Sequence, residues 1–176
     1  MEPISLKDYT VKGIKTFLGM EGNGYNANLY RGKKKVAFLC DSATGGETDV
    51  TWEDRSSKKQ VKLNGINFSG DKFSYKGTPE EKIFIELLAK EPKEESPFGG
   101  FVHMTPDVFF GDLVDKTLND RKFKRLCKTK TVFILKVNKK KVVYTITRKY
   151  DDKSEKLLKD EYEDRLIEVI NKRYIS

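Results

Sequence analysis

Apolar and polar side chains alternate with a period of two in four separate stretches before residue 53, and this pattern constrains the fold most. Ile14, Thr16, Leu18 and Met20 alternate with Lys15, Phe17 and Gly19, and Tyr25, Ala27 and Leu29 alternate with Asn26, Asn28 and Tyr30. Val36, Phe38 and Cys40 follow, then Thr48, Val50 and Trp52. A strand sends successive side chains to opposite faces, so each stretch reads as a half-buried strand. The linkers are short and glycine-bearing (Gly22 and Gly24, Gly32, Gly45 and Gly46). Short turns between such strands give an antiparallel meander. Val61 to Tyr75 fits one or two further short strands.

The period then changes. Thr78-Pro79-Glu80-Glu81 combines an N-cap threonine, a proline at the first helical position and a glutamate that closes a capping box. Ile83, Phe84, Leu87 and Leu88 supply the apolar stripe of the helix, which should end before Pro92. A second cap, Thr105-Pro106-Asp107, opens a helix whose apolar face is Val108, Phe109, Leu113, Val114 and Leu118, with a bend or restart at Asn119-Asp120. Thr131 to Val137 and Lys141 to Thr147 read as a hairpin with a lysine-rich tip. A terminal helix is expected from Ser154 to Arg173, carrying Leu158, Tyr162, Leu166, Val169 and Ile170 on one side. The expected architecture is α+β: an N-terminal antiparallel β-meander, then helices with a C-terminal β-hairpin and terminal helix. We expect one domain over 1–176, its β-rich half 1–77 and its helix-hairpin-helix half 78–176 sharing one core.

Charge is sorted along the chain. Arg121 to Tyr150 contains twelve Lys or Arg and no Asp or Glu, whereas the rest of the molecule is net acidic within a total of +8. At about 100° per residue, Arg121, Lys124, Arg125 and Lys128 share one helix face, with Phe123, Leu126 and Cys127 opposite. Lys122 and Lys130 flank that face, and Lys139, Lys140 and Lys141 crown the hairpin. A single-sign patch attracts polyanions, so these nine residues are the candidate nucleic-acid or polyanion-binding set. The plainer alternative is a solvated helix end whose cations suit the helix dipole, beside a hairpin kept soluble by lysines. A glycine-rich loop with Phe98, Phe101 and Met104 is a candidate anchor for a protein partner.

Other chemistry is poorly supplied. His103 is the sole histidine, and Cys40 and Cys127 are far apart in sequence, so neither a zinc set nor a disulfide framework is indicated. The Gly19 to Gly24 loop lacks the Lys-Ser/Thr of a P-loop and is read as a turn. Asp112 and Asp115 are an i,i+3 pair of the kind that helix surfaces often carry. We expect no cofactor and no metal. No apolar run is long enough to span a bilayer and the N-terminus lacks a signal-peptide profile, so no membrane partner is expected.

Residues Phe17 to Tyr30, Lys34 to Phe38, Asp41 to Gly46 and Trp52, together with Lys122 to Phe133, resemble a group of small uncharacterised accessory proteins of tailed bacteriophages and bacterial mobile elements. The resemblance covers the first 52 residues and Asp115 to the end. It brings no catalytic residue with it. It implies an accessory protein at work in the cytoplasm of a host bacterium. The leading expectation is a non-enzymatic protein that contacts nucleic acid or a nucleoprotein through its basic segment. The alternative is an inhibitor of a host protein, of the host-defence or anti-CRISPR-like kind, that meets an acidic partner surface. A third is a small enzyme using Asp41, Asp49 or His103.

Overall fold

Strands β1 (Tyr9–Gly19), β2 (Gly22–Arg31), β3 (Lys34–Asp41) and β4 (Asp49–Trp52) form an antiparallel sheet in sequential order. The computed structural model describes residues 3–56, 59–66, 70–95 and 99–174. The expected meander is present, although Leu18 and Met20, expected in the apolar alternation of the first strand, are exposed. Val11, Leu29, Ala37 and Trp52 stand opposite one another across the four strands, all buried. β1 starts at Tyr9, earlier than the alternation indicates. Gly13 adopts φ +64° and the register shifts between Lys12 and Lys15, a bulge that puts the two halves of β1 out of phase.

β5 (Val61–Ile66) and β6 (Lys72–Gly77) make a separate two-stranded hairpin. Helix α1 (Pro79–Leu88) follows with the capping box the sequence specifies. The Glu81 amide donates to the Thr78 hydroxyl (3.1 Å), and the Thr78 amide donates to the Glu81 carboxylate (3.2 Å). Phe84 of α1 is fully buried in an aromatic cluster, with ring centroids 5.3 Å from Tyr9, 5.8 Å from Trp52 and 5.0 Å from Phe110. The neighbouring Glu80 is also buried. It accepts two hydrogen bonds from the Arg31 guanidinium (2.6 and 2.7 Å) and one from the Tyr9 hydroxyl (3.2 Å), which satisfies its charge.

A minimal strand pair, β7 (Glu94–Glu95) and β8 (Phe101–Val102), precedes helix α2 (Pro106–Leu126). The expected break at Asn119-Asp120 does not occur. α2 runs through both residues unbroken, and they stand exposed on its surface, where a polar pair disturbs no packing. Its buried residues are Phe110 and Val114, while Val108 is exposed.

The chain divides into two compact units, Met1–Asp115 and Lys116–Ser176. In the second, β9 (Thr131–Val137) is the central strand between β10 (Lys140–Ile146) and β11 (Leu166–Val169), all antiparallel. Helix α3 (Asp152–Tyr162) lies before β11. Here the structure corrects the sequence reading: the terminal helix stops at Tyr162 instead of continuing to Arg173. Glu163 adopts φ 42° and ψ −123°, which a helix cannot accommodate, and Leu166 and Val169 then pair with Leu135 and Phe133 of β9. Phe133 and Leu135 pack with Leu158 and Val169 in one cluster, and Val132 packs with Cys127 and Ile170 in another. The unit therefore has α3 on one face of β9 and the end of α2 on the other. Among the described residues, no helix is long and apolar enough to cross a membrane.

Candidate functional site

The basic segment folds as an amphipathic helix end running into a hairpin. In the last turns of α2, Arg121, Lys122, Lys124 and Arg125 are exposed, Phe123 and Leu126 are half-buried, and Cys127 is buried. Phe123 and Leu126 dock against the cluster of Cys127, Val132 and Ile170, so the cations are left on the solvent side. α2 ends at Leu126, which leaves Lys128 in the following turn, still exposed. Lys130 is half-buried, and its carbonyl accepts a hydrogen bond from Asn171 (2.8 Å). Burial pushes the Cys127 thiol above its ordinary pKa, which makes it an inert core residue.

The hairpin carries the second group. Asn138 and Lys139 form the two-residue turn at φ 47° and 66°, the positive values that such a turn demands. Lys140 and Lys141 open β10 and are exposed. Lys141 stands directly opposite Lys136 of β9. Like charges in that relation repel, and a bound anion relieves the repulsion. Of the twelve cations between Arg121 and Tyr150, only Arg148 forms an ion pair among the described residues, to Asp151 (3.0 Å).

Three carboxylates of this unit are engaged elsewhere. Glu155 binds Lys159 and Lys172 (both 2.7 Å), and Glu168 binds Arg173 through two contacts (2.5 and 2.6 Å). Asp120 accepts from the Tyr174 hydroxyl (2.6 Å). Lys159, Lys172 and the Tyr150 hydroxyl hold the Glu155 carboxyl down to about 2. Arg173, with a smaller contribution from Lys141, lowers that of Glu168. Residues 116–176 contain 19 Lys or Arg and 9 Asp or Glu, a net of +10, against −2 for residues 1–115.

The Phe98, Phe101 and Met104 set can be followed only at its last two members. Phe98 lies outside the described residues, Phe101 is 72% exposed, and Met104 turns inward to line a cavity. That cavity, of about 400 Å³, belongs wholly to the first unit. Its buried side is Trp52, Phe84, Leu88 and Phe110. Phe73 and Tyr75, stacked at 5.6 Å, form a wall. Asp49 and His103, two of the three residues suspected of chemistry, both line this cavity, whereas Asp41 caps its own turn by accepting from the Ala43 amide (2.8 Å). The Tyr75 hydroxyl donates to Glu81 (3.0 Å), and burial together with that carboxylate raises its pKa well above the phenol range. Trp52, Phe73 and Tyr75 supply its aromatic walls from the β-rich half. The packing of residues 103–110 against them depends on the fold.

Among the described residues, no three His, Cys, Asp or Glu side chains converge as metal ligands do, and Asp112 and Asp115 are exposed on α2. No family model, no curated protein and no solved structure matches the chain.

Proposed function

We propose that the chain is a non-enzymatic accessory protein of the bacteriophage type that contacts nucleic acid, alone or in a nucleoprotein, through its second unit. One observation carries this reading: eleven of the twelve cations between Arg121 and Tyr150 form no ion pair among the described residues, although nine carboxylates belong to the same unit. A surface that merely needs solubility has no reason to leave Lys136 and Lys141 face to face. Phosphates spaced along a backbone suit cations displayed at a helix end and a hairpin tip. Contacts of this kind position a polyanion without reading its bases, so the proposal is for sequence-tolerant binding.

The test is fluorescence anisotropy with single- and double-stranded DNA and RNA across a salt series. Log K should fall linearly with log salt, by roughly 0.9 for each duplex phosphate neutralised. Arg121→Glu, Lys124→Glu, Arg125→Glu and Lys128→Glu together should remove most of the binding and reduce the slope by roughly 3 to 4. Failure to bind any of the four nucleic acids at low salt ends the proposal.

A second reading, inhibition of a host protein, is favoured by β10. It is one of the two edge strands of its sheet, all seven residues are exposed, and Val142, Val143, Tyr144 and Ile146 are apolar. An edge of this kind can accept an extended segment from a partner, and the surrounding lysines favour an acidic one. Partner capture that survives nuclease treatment and is lost in Val143→Pro supports this reading; capture that vanishes with nuclease returns the weight to nucleic acid.

A further inference from the structure

We infer that the cavity of the first unit is a binding site for a small organic cation that carries an aromatic or alkyl group. The inference is independent of the basic surface, since every residue that lines the cavity lies before Asp115.

The cavity's size, about 400 Å³, falls in the range of small-molecule sites, and its composition selects the ligand. Apolar and aromatic side chains make its interior: Trp52, Phe84 and Phe110 are buried, while Phe73, stacked on Tyr75, is 48% exposed. Ring faces are electron-rich and attract cations that have been partly desolvated.

Charge points the same way. Glu47, Asp49 and Glu81 line the cavity, and among the described residues no Lys or Arg does, His103 being the one basic side chain there, in a chain that has 35 Lys and Arg. Glu47 and Asp49 are exposed at the mouth and form no ion pair among the described residues. Just behind them, Asp107 accepts from both the amide (2.8 Å) and the hydroxyl (2.7 Å) of Thr48, and so adds a fixed negative charge. The Tyr25 hydroxyl, bonded to Thr48, has its pKa raised by burial, with the charges of Asp41 and Asp107 contributing. A cleft with low-dielectric walls and charge of one sign focuses its field on the ligand. The same field repels carboxylates and phosphates. A protonated amine on a short hydrophobic arm meets both demands: its apolar part fills the aromatic interior and its ammonium stays between Glu47 and Asp49.

Trp52 is the only tryptophan in the chain and lies on the cavity's buried side, so its emission reports occupancy. The full chain is titrated with phenethylamine and, in parallel, with phenylacetate, which has a similar ring and arm but opposite charge. The amine should give a saturable change in emission, with phenylacetate at least about tenfold weaker. Glu47→Gln with Asp49→Asn should weaken the amine by about tenfold or more, while leaving the far-ultraviolet dichroism and the melting temperature unchanged. Saturation-transfer NMR on the unsubstituted protein provides a reading that does not depend on the variant folding. Equal binding of the two probes, or no binding of phenethylamine by either method, overturns the inference.

Discussion

Asn171 shows how much one buried side chain can organise. It is completely inaccessible, and its amide group makes three hydrogen bonds: it accepts from the Val132 amide (2.7 Å) and donates to the carbonyls of Cys127 (3.3 Å) and Lys130 (2.8 Å). These bonds hold the turn between α2 and β9, the turn that presents Lys128. Asn171→Ala should lower stability by roughly 3 kcal/mol, because it strands buried backbone groups. Asn171→Leu, which restores volume without the bonds, should not rescue it; denaturant unfolding of both variants checks this. Nothing local marks Asn171 for the role. It sits amid Asn-Lys-Arg, a polar run that reads as a helix end, and its partners lie about forty residues earlier. Glu80 is the same kind of case. Its place as a first-turn acid in α1 is legible, but Arg31, which neutralises it, and Tyr9, which donates to it, come from β2 and β1.

At the scale of elements, the sequence speaks clearly where local chemistry decides and poorly where tertiary pairing does. α1 was legible because Thr78, Pro79 and Glu81 are its own start signal. α3 was legible in its apolar stripe but at neither end: it begins at Asp152, two residues before the expected Ser154, because Asp151 and Ser154 cap each other, and it stops at Tyr162. Leu158, Tyr162, Leu166, Val169 and Ile170 continue a helical spacing, and no glycine or proline interrupts it. The helix yields because β9 needs an eleventh strand beside it. The backbone at Glu163, φ 42° and ψ −123°, matches the first central position of a type II′ turn, which glycine fills without strain. Glu163→Gly should therefore raise stability by about 1 kcal/mol, measured by chemical denaturation. Acid should act on the same region. The Glu155 carboxyl has a folded-state pKa of about 2, below its ordinary 4.5, so its ionised form favours the folded state. That contribution is complete above pH about 4.5 and is lost as pH falls toward about 2. Glu155→Gln should lower stability at neutral pH and flatten the acid limb, with the two unfolding curves converging near pH 2.

For the whole molecule, the division of charge is the governing property. Four charge reversals at Arg121, Lys124, Arg125 and Lys128 each remove two units and take the formal charge from +8 to zero. The variant should lose retention on a cation exchanger, yet its thermal unfolding midpoint should stay equal or rise, since none of these side chains forms an ion pair among the described residues and their mutual repulsion is relieved. A large fall in the midpoint would show that the four cations support the fold instead of a ligand. The distribution of charge was fully legible in the sequence, and so was the amphipathic form of the α2 end. The cavity was not: Asp49, Tyr75, His103 and Phe110 belong to separate segments, and only the packed first unit assembles them.

The order of strands in the second unit has a consequence for biosynthesis. β11 is translated last among the three strands, yet it flanks the central β9, and Asn171 follows it to fasten the turn after α2. A ribosome that has delivered the lysine hairpin has delivered only part of the structure that supports it. The cationic surface is completed only after residue 171 has emerged from the exit tunnel, so a message broken shortly upstream yields the charges without the scaffold that arrays them.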